Sequence, residues 1–287
     1  MKRKTVRSKT SIRRKPRKKV TFFSGKLLRF SIIGFFVVVF IAFGYHYRNG
    51  LLYYLGFKSY KLKYEQAEAK RISDVRNYQV LKNHLGKAVG IDVSEFQGKI
   101  DWTLVENIEN EYPLAFVFIR ATAGNDCEDG QFENNWLGAK NNKMIRGAYH
   151  YYRPNENSLA QAKLFIKTVQ LHKGDLPPVL DIEKLPKDQS LDSLKIGLKR
   201  WLKAVEAHYK VKPIIYTSEK YYDDFLKEDF SGYLFWIANY NFYREKIDED
   251  WLFWQFTEKA SLSGIKGNVD VNIFNGDAEQ LRFITVE

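Results

Sequence analysis

Two hydrophobic textures divide the chain. From Phe30 to Tyr45 the sequence FSIIGFFVVVFIAFGY runs without a charge. With Leu27, Leu28, His46 and Tyr47 it extends to about 20 residues, which at about 1.5 Å of rise each reach across the apolar thickness of a bilayer. From Lys87 onward, short apolar runs rich in β-branched and aromatic residues alternate with longer amphipathic or polar stretches. The runs fall at 88–93, 115–121, 145–152, 178–183, 213–218, 233–240, 251–257 and 268–274, and each predicts a strand. Between them, Asn157–His172 and Ser190–Tyr209 read as helices; in the second, Leu191, Leu194, Leu198, Trp201, Leu202 and Val205 share one stripe. Strand and helix alternate through the fifth strand, and the last three strands are joined by connections too short for full helices. The expected fold class is α/β: an incomplete TIM-like (β/α) barrel of eight strands with a degenerate final third, preceded by one N-terminal transmembrane helix.

Charge changes the picture only at the N-terminus. The chain of 287 residues carries a formal net charge of +12, which resembles a nucleic-acid-binding signature until it is located. Residues 1–29 hold 13 Lys and Arg and no acid, leaving 33 basic against 34 acidic residues in the remainder. The basicity belongs to the tail, so no nucleic-acid partner is expected. A cationic block beside an apolar span retains the tail in the cytoplasm and places residues after about 48 outside. No clear cleavage site follows the apolar run, which favours an uncleaved anchor over a signal peptide. Cys127 is the single cysteine, so no intrachain disulfide can form. The histidines at 46, 84, 150, 172 and 208 lack metal-ligand spacing, and neither metal nor cofactor is expected.

In a barrel of this kind the reacting groups gather at the C-terminal ends of the strands. Four carboxylates break apolar runs: Asp92 in GIDV, Asp181 and Glu183 in PVLDIE, and Asp270 in NVDVNIF. Strand side chains alternate faces, so Asp181 and Glu183 project to the same side while Ile182 faces the helices. Two carboxyls held that close in a desolvated cleft resist joint ionisation, which raises one of them into the range of a general acid. Any one of these residues taken alone reads better as a loop or helix cap. Four acids on three strands favour catalysis.

The same segments carry a resemblance. GIDVSEFQGKIDW (90–102), FVFIRATAG (116–124), the Phe132–Gly138 segment, GAYHYYRP (147–154), PPVLDIE (177–183), PIIYTS (213–218), WIANY (236–240), WQFT (254–257) and VDVNIF (269–274) occur in this order. Together they resemble glycoside hydrolase family 25, the lysozyme family that includes the Chalaropsis-type and many phage muramidases. The resemblance covers roughly residues 87–280. It implies an incomplete (β/α) barrel that hydrolyses the β-1,4 bond between N-acetylmuramic acid and N-acetylglucosamine in peptidoglycan. Carried over by position, Glu183 matches the proton donor, Asp181 its partner in the D-x-E pair, and Asp92 and Asp270 the acids of the first and last strands. Arg120, Tyr151, Tyr216, Tyr240 and Trp254 fall at strand ends where such enzymes hold sugar, whereas Trp201 and Trp236 read as core. One departure is that Ala123 precedes Gly124 where many members carry an acid, and Cys127 lies in the loop that follows.

An oxocarbenium-like transition state needs a protonated carboxyl at the leaving oxygen and negative charge near the anomeric carbon. Glu183 supplies the first. For the second, the resemblance favours net retention with participation of the substrate's 2-acetamido group and Asp181 as its orienter; direct attack by an Asp stays open. The rival readings are a catalytically silent, membrane-tethered glycan-binding module and a chitinase-like hydrolase with its own D-x-E pair. The expected organisation is a basic cytoplasmic tail (1–29), a transmembrane helix (30–47), a juxtamembrane stalk (48–86) and a catalytic barrel (87–287). The barrel is expected to act as a monomer on the outer side of the membrane.

Overall fold

The computed structural model describes the backbone of residues 25–109 and 111–287, and the side chains of 29–48, 63–109 and 111–287. Most of the basic tail expected at 1–29 therefore lies outside the described residues. The chain divides into two units, Met1–Glu65 and Gln66–Glu287. Helix α1 (Gly25–Asn83) begins in the first and ends in the second. In the first unit, the stretch Arg29–Arg48 has a mean hydropathy of 1.9 over 20 residues and is exposed throughout, so it is long and apolar enough to cross a membrane.

The second unit is built on ten strands: β1 (Val89–Val93), β2 (Asn107–Ile108), β3 (Tyr112–Ala123), β4 (Cys127–Glu128), β5 (Ile145–Tyr151), β6 (Val179–Asp181), β7 (Ile214–Ser218), β8 (Leu234–Ala238), β9 (Phe253–Ala260) and β10 (Val269–Phe274). Eight of them close a barrel in the order β1-β3-β5-β6-β7-β8-β9-β10, with β10 returning to β1, while β2 and β4 are short additions to β3. The eight barrel strands coincide with the eight apolar runs. Helices α2 (Phe132–Asn141), α3 (Ser158–Thr168) and α4 (Leu191–Tyr209) follow β3/β4, β5 and β6. Asn157 and Ser190 cap α3 and α4 by accepting from the backbone N–H groups of Ala160 and Ser193. The α3 helix stops at Thr168, short of the expected His172, because Val169 adopts an extended conformation.

Neighbouring strands from β1 through β9 are parallel along the ring, but β10 runs antiparallel to both β9 and β1. A parallel return needs a crossover of about a dozen residues or more, and the connection 261–268 is shorter than that. The barrel is filled by aromatic side chains. Phe118 stacks on Trp236 at 4.5 Å, and Phe253 meets Phe116 and Phe118 edge-on or tilted at 5.1 and 5.2 Å. Small residues make room for them: a Cβ at Gly90 would lie 2.5 Å from Phe116, and one at Gly147 2.6 Å from Phe118.

No helix lies between β8 and β9; the outer face of β8 rests through Phe235 on Tyr222 at 4.6 Å, whereas that of β9 lacks the cover that α3 and α4 give their neighbours. The last turns of α1 supply it. Val80 and Leu81 are buried in one cluster with Trp254 and Phe256, and the His84 ring meets Trp254 edge-on at 5.7 Å. Buried Arg76 donates to the Phe256 and Asn241 carbonyls at 2.6 and 2.9 Å, and His84 Nε2 accepts from Ile247 N–H at 3.0 Å. The compact unit thus begins at Gln66, ahead of Lys87, where the change in sequence texture falls. Because Leu81 is 1% exposed, Leu81→Ala is expected to lower unfolding stability by about 2–5 kcal/mol. Urea denaturation followed by tryptophan fluorescence checks this; a loss under about 0.5 kcal/mol, the usual range for surface substitutions, would mean that this helix is not part of the barrel core.

Candidate active site

Strand parity brings the acids to one rim. On β1, β6 and β10 the residues facing the barrel axis include Asp92, Asp181 and Asp270, while Ile91, Leu180, Ile182 and Val271 pack outward against the helices. Glu183 lies just beyond β6, where Ile182 N–H still bonds the Tyr216 carbonyl at 3.0 Å and so prolongs the strand geometry. All four carboxylates line a cavity of about 210 Å³. Asp270 joins the C-terminal rim although it stands near the start of its strand, because β10 is antiparallel and places its N-terminal end there. The register sets Asp270 directly opposite Asp92.

A hydrogen-bonded frame fixes that pair. Gln255 Nε2 and Asn272 Nδ2 both donate to Asp92 Oδ2, at 2.7 and 2.8 Å. Gln255 Oε1 accepts from the Tyr216 hydroxyl at 2.7 Å and from the Tyr240 hydroxyl, and Asn272 Oδ1 accepts from Trp236 Nε1 at 2.8 Å. These donors favour the ionised form of Asp92, although burial moves its carboxyl upward on balance. Burial, then the adjacent charge of Asp92, pushes Asp270 up to about 9.

Asp181 is buried on the aromatic plug, and its Oδ1 has no hydrogen-bond partner. Desolvation drives its carboxyl well above the usual range, reinforced by the charges of Glu183 and Asp92 and opposed by Arg120. Glu183 opens to solvent at the mouth, yet the surrounding wall still raises its carboxyl, chiefly by desolvation, with Lys184 opposing the shift. A raised carboxyl open to solvent beside a second, buried carboxyl is the equipment of acid-assisted cleavage of an acetal.

The five residues expected to hold sugar divide. Tyr151, Tyr216 and Arg120 line the cavity. Arg120 is committed to ion pairs with Glu95 and Asp129, each at 2.8 Å, and its guanidinium lies 4.6 Å from the Phe96 ring centre, so it also builds the rim. Tyr240 reaches the cleft through its hydroxyl on Gln255. Trp254 is placed differently: it is fully buried on the outer face of β9, packs on His84 and Phe256, and donates Nε1 to the Asn239 carbonyl at 2.9 Å. The alternation along β9 explains this, since Phe253 and Gln255 take the inward positions. Trp236 is core, as expected, and its edge also lines the cavity. Sequence reasoning passes over Gln255, Asn272, Tyr149 and Phe96. The first three could have been found by parity, standing next to Trp254, two residues after Asp270 and two before Tyr151. Phe96, 81% exposed at the mouth, gives only the weaker signal of a large apolar side chain in a polar loop.

The model for "Glycosyl hydrolases family 25" matches residues 91–265. Lysozyme M1 from Streptomyces globisporus is 33% identical over 208 residues, covering 67% of this chain and 69% of its own. The uncharacterized protein YegX of Escherichia coli K12 is 41% identical over 197 residues, covering 67% of this chain and 71% of its own. Among solved structures, a family 25 glycosyl hydrolase from Bacillus anthracis superposes with a TM-score of 0.63 at 29% identity, covering 70% of this chain and 95% of that one. The chain belongs to glycosyl hydrolase family 25, and it is a glycoside hydrolase.

The raised Asp270 carboxyl has a consequence for stability. Below about pH 4 both folded and unfolded chains hold this proton; above it the unfolded chain releases it while the folded chain retains it up to about 9. The folded state therefore binds the extra proton, and this group costs stability as pH rises, by at most about 1.4 kcal/mol per unit. Asp270→Asn is expected to flatten the fall in stability between pH 5 and 8. Urea titrations of both proteins across that range test it, and parallel curves would show that Asp270 ionises normally.

Proposed function

We propose that this protein is a peptidoglycan hydrolase, an N-acetylmuramidase that cuts the β-1,4 bond between N-acetylmuramic acid and N-acetylglucosamine. The observation that carries the reading is the convergence of Asp92, Asp181, Glu183 and Asp270 on one cavity in a chain of this family. Glu183, raised and open to the cleft, serves as the general acid for the leaving oxygen. Asp181 orients the substrate's 2-acetamido group, whose N–H would satisfy the unpartnered Oδ1, and net retention follows from attack by that group. The Asp92–Asp270 pair, with Gln255 and Asn272, holds fixed negative charge on the opposite wall. Tyr151, Tyr216, Tyr240 and Arg120 border the sugar.

The barrel is read as TIM-like, with its final third degenerate. The Arg29–Arg48 stretch is read as a single-pass anchor, supported by its length, apolarity and the cationic block before it. On that reading the basic tail is cytoplasmic and the barrel acts outside, at the cell surface or in the periplasm. One chain carries all four acids, so a monomer suffices. Glu183→Gln is expected to lower kcat by about 10²–10⁴ and to abolish clearing in a peptidoglycan zymogram. Wild-type protein that releases no reducing ends from peptidoglycan, or that prefers chitin, would overturn the assignment.

A further inference from the structure

A second cavity, of about 190 Å³, opens beside the active-site cleft. One wall is the loop after β8 and the end of β9, with Tyr240, Phe242, Glu258 and Lys259; the other is α1, with Ser73 and Arg76. Tyr240 links the two cavities, since it lines the second while its hydroxyl donates to Gln255 in the first. Tyr240 and Phe242 are 44% and 53% exposed, so aromatic faces are presented to solvent here. Glu258 and Lys259 give the lining one carboxylate and one ammonium.

The backbone at this place is also open. β8 ends at Ala238, opposite Gln255, whereas β9 continues to Ala260. From Phe256 onward the β8-side edge of β9 pairs with no strand among the described residues, and Arg76 occupies only the Phe256 carbonyl. A free strand edge flanked by aromatic and charged side chains is how proteins take an extended peptide.

We propose that this cavity binds the stem peptide borne by the muramic acid in the cleft, an inference that rests on the muramidase reading. The stem is a short extended peptide with free carboxylates and an amine, matching Lys259 and Glu258. It is joined to the sugar through the lactyl ether, and Tyr240 sets the second cavity next to the cleft that would hold that sugar. Tethered to a ring already bound, it meets the second cavity at high effective concentration. The wall supplied by α1 precedes residues 91–265, so the site belongs to this chain's own N-terminal segment joined to the family barrel.

The test compares stem-bearing peptidoglycan with glycan strands stripped of their peptides by an amidase, using the full chain and the variants Ser73→Trp and Phe242→Ala. For the wild type, kcat/KM on the stem-bearing strand is expected to exceed that on stripped strands about tenfold. In Ser73→Trp, which fills the cavity, that ratio should fall about tenfold, through KM rather than kcat. Phe242→Ala, on an exposed side chain, should lower the ratio in the same sense and guards against misfolding of the first variant. Equal loss on both substrates, or an unchanged ratio in both variants, would overturn the proposal while leaving the muramidase reading intact. Wild-type protein that cuts neither substrate would overturn that reading, and this proposal with it.

Discussion

The fold and its site depend on one closure: β10 inserted antiparallel between β9 and β1. That insertion completes the hydrogen-bonded ring, leaving only the end of β9 beyond Gln255 without a strand on its β8 side. It also determines which end of β10 reaches the rim. An antiparallel last strand delivers its first residues to the end where the parallel strands deliver their last, and the register then sets Asp270 against Asp92. Two carboxyls pressed together away from water cannot both ionise, so the closure that completes the barrel also sets the protonation of one wall of the cleft.

Beneath the rim, the aromatic plug of Phe116, Phe118, Trp236 and Phe253 converts packing into electrostatics. These rings exclude water from under the carboxyls, and desolvation is the leading cause of the upward shift at all four acids. Trp236 belongs to both layers: it stacks on Phe118 below and donates to Asn272 above, which in turn donates to Asp92. Substitution in the plug would therefore act on the acids without touching them directly.

The degenerate third of the barrel has its own solution. Where no crossover helix covers β9, the end of α1 packs instead, and Arg76 and His84 bind the loop that carries Tyr240. An element outside the matched family stretch thus supports a rim residue. Arg76 pairs with carbonyls in place of an acid, and burial correspondingly lowers the pKa of its guanidinium.

The amino-acid sequence by itself determined the eight strands, the long amphipathic stripe of α4, the apolar N-terminal stretch and the acid candidates, because each is a local signal of period or composition. Parity along β6 sufficed to put Asp181 and Glu183 on one face. On β9 the resemblance singled out Trp254, whereas the packing turns that ring outward and Gln255 to the cleft. Only the tertiary structure decided the direction of β10, the pairing of Asp92 with Asp270 and the docking of α1 on β9. Each of these joins residues far apart in the chain, and side-chain pattern within a segment carries no information about which distant surface it will meet.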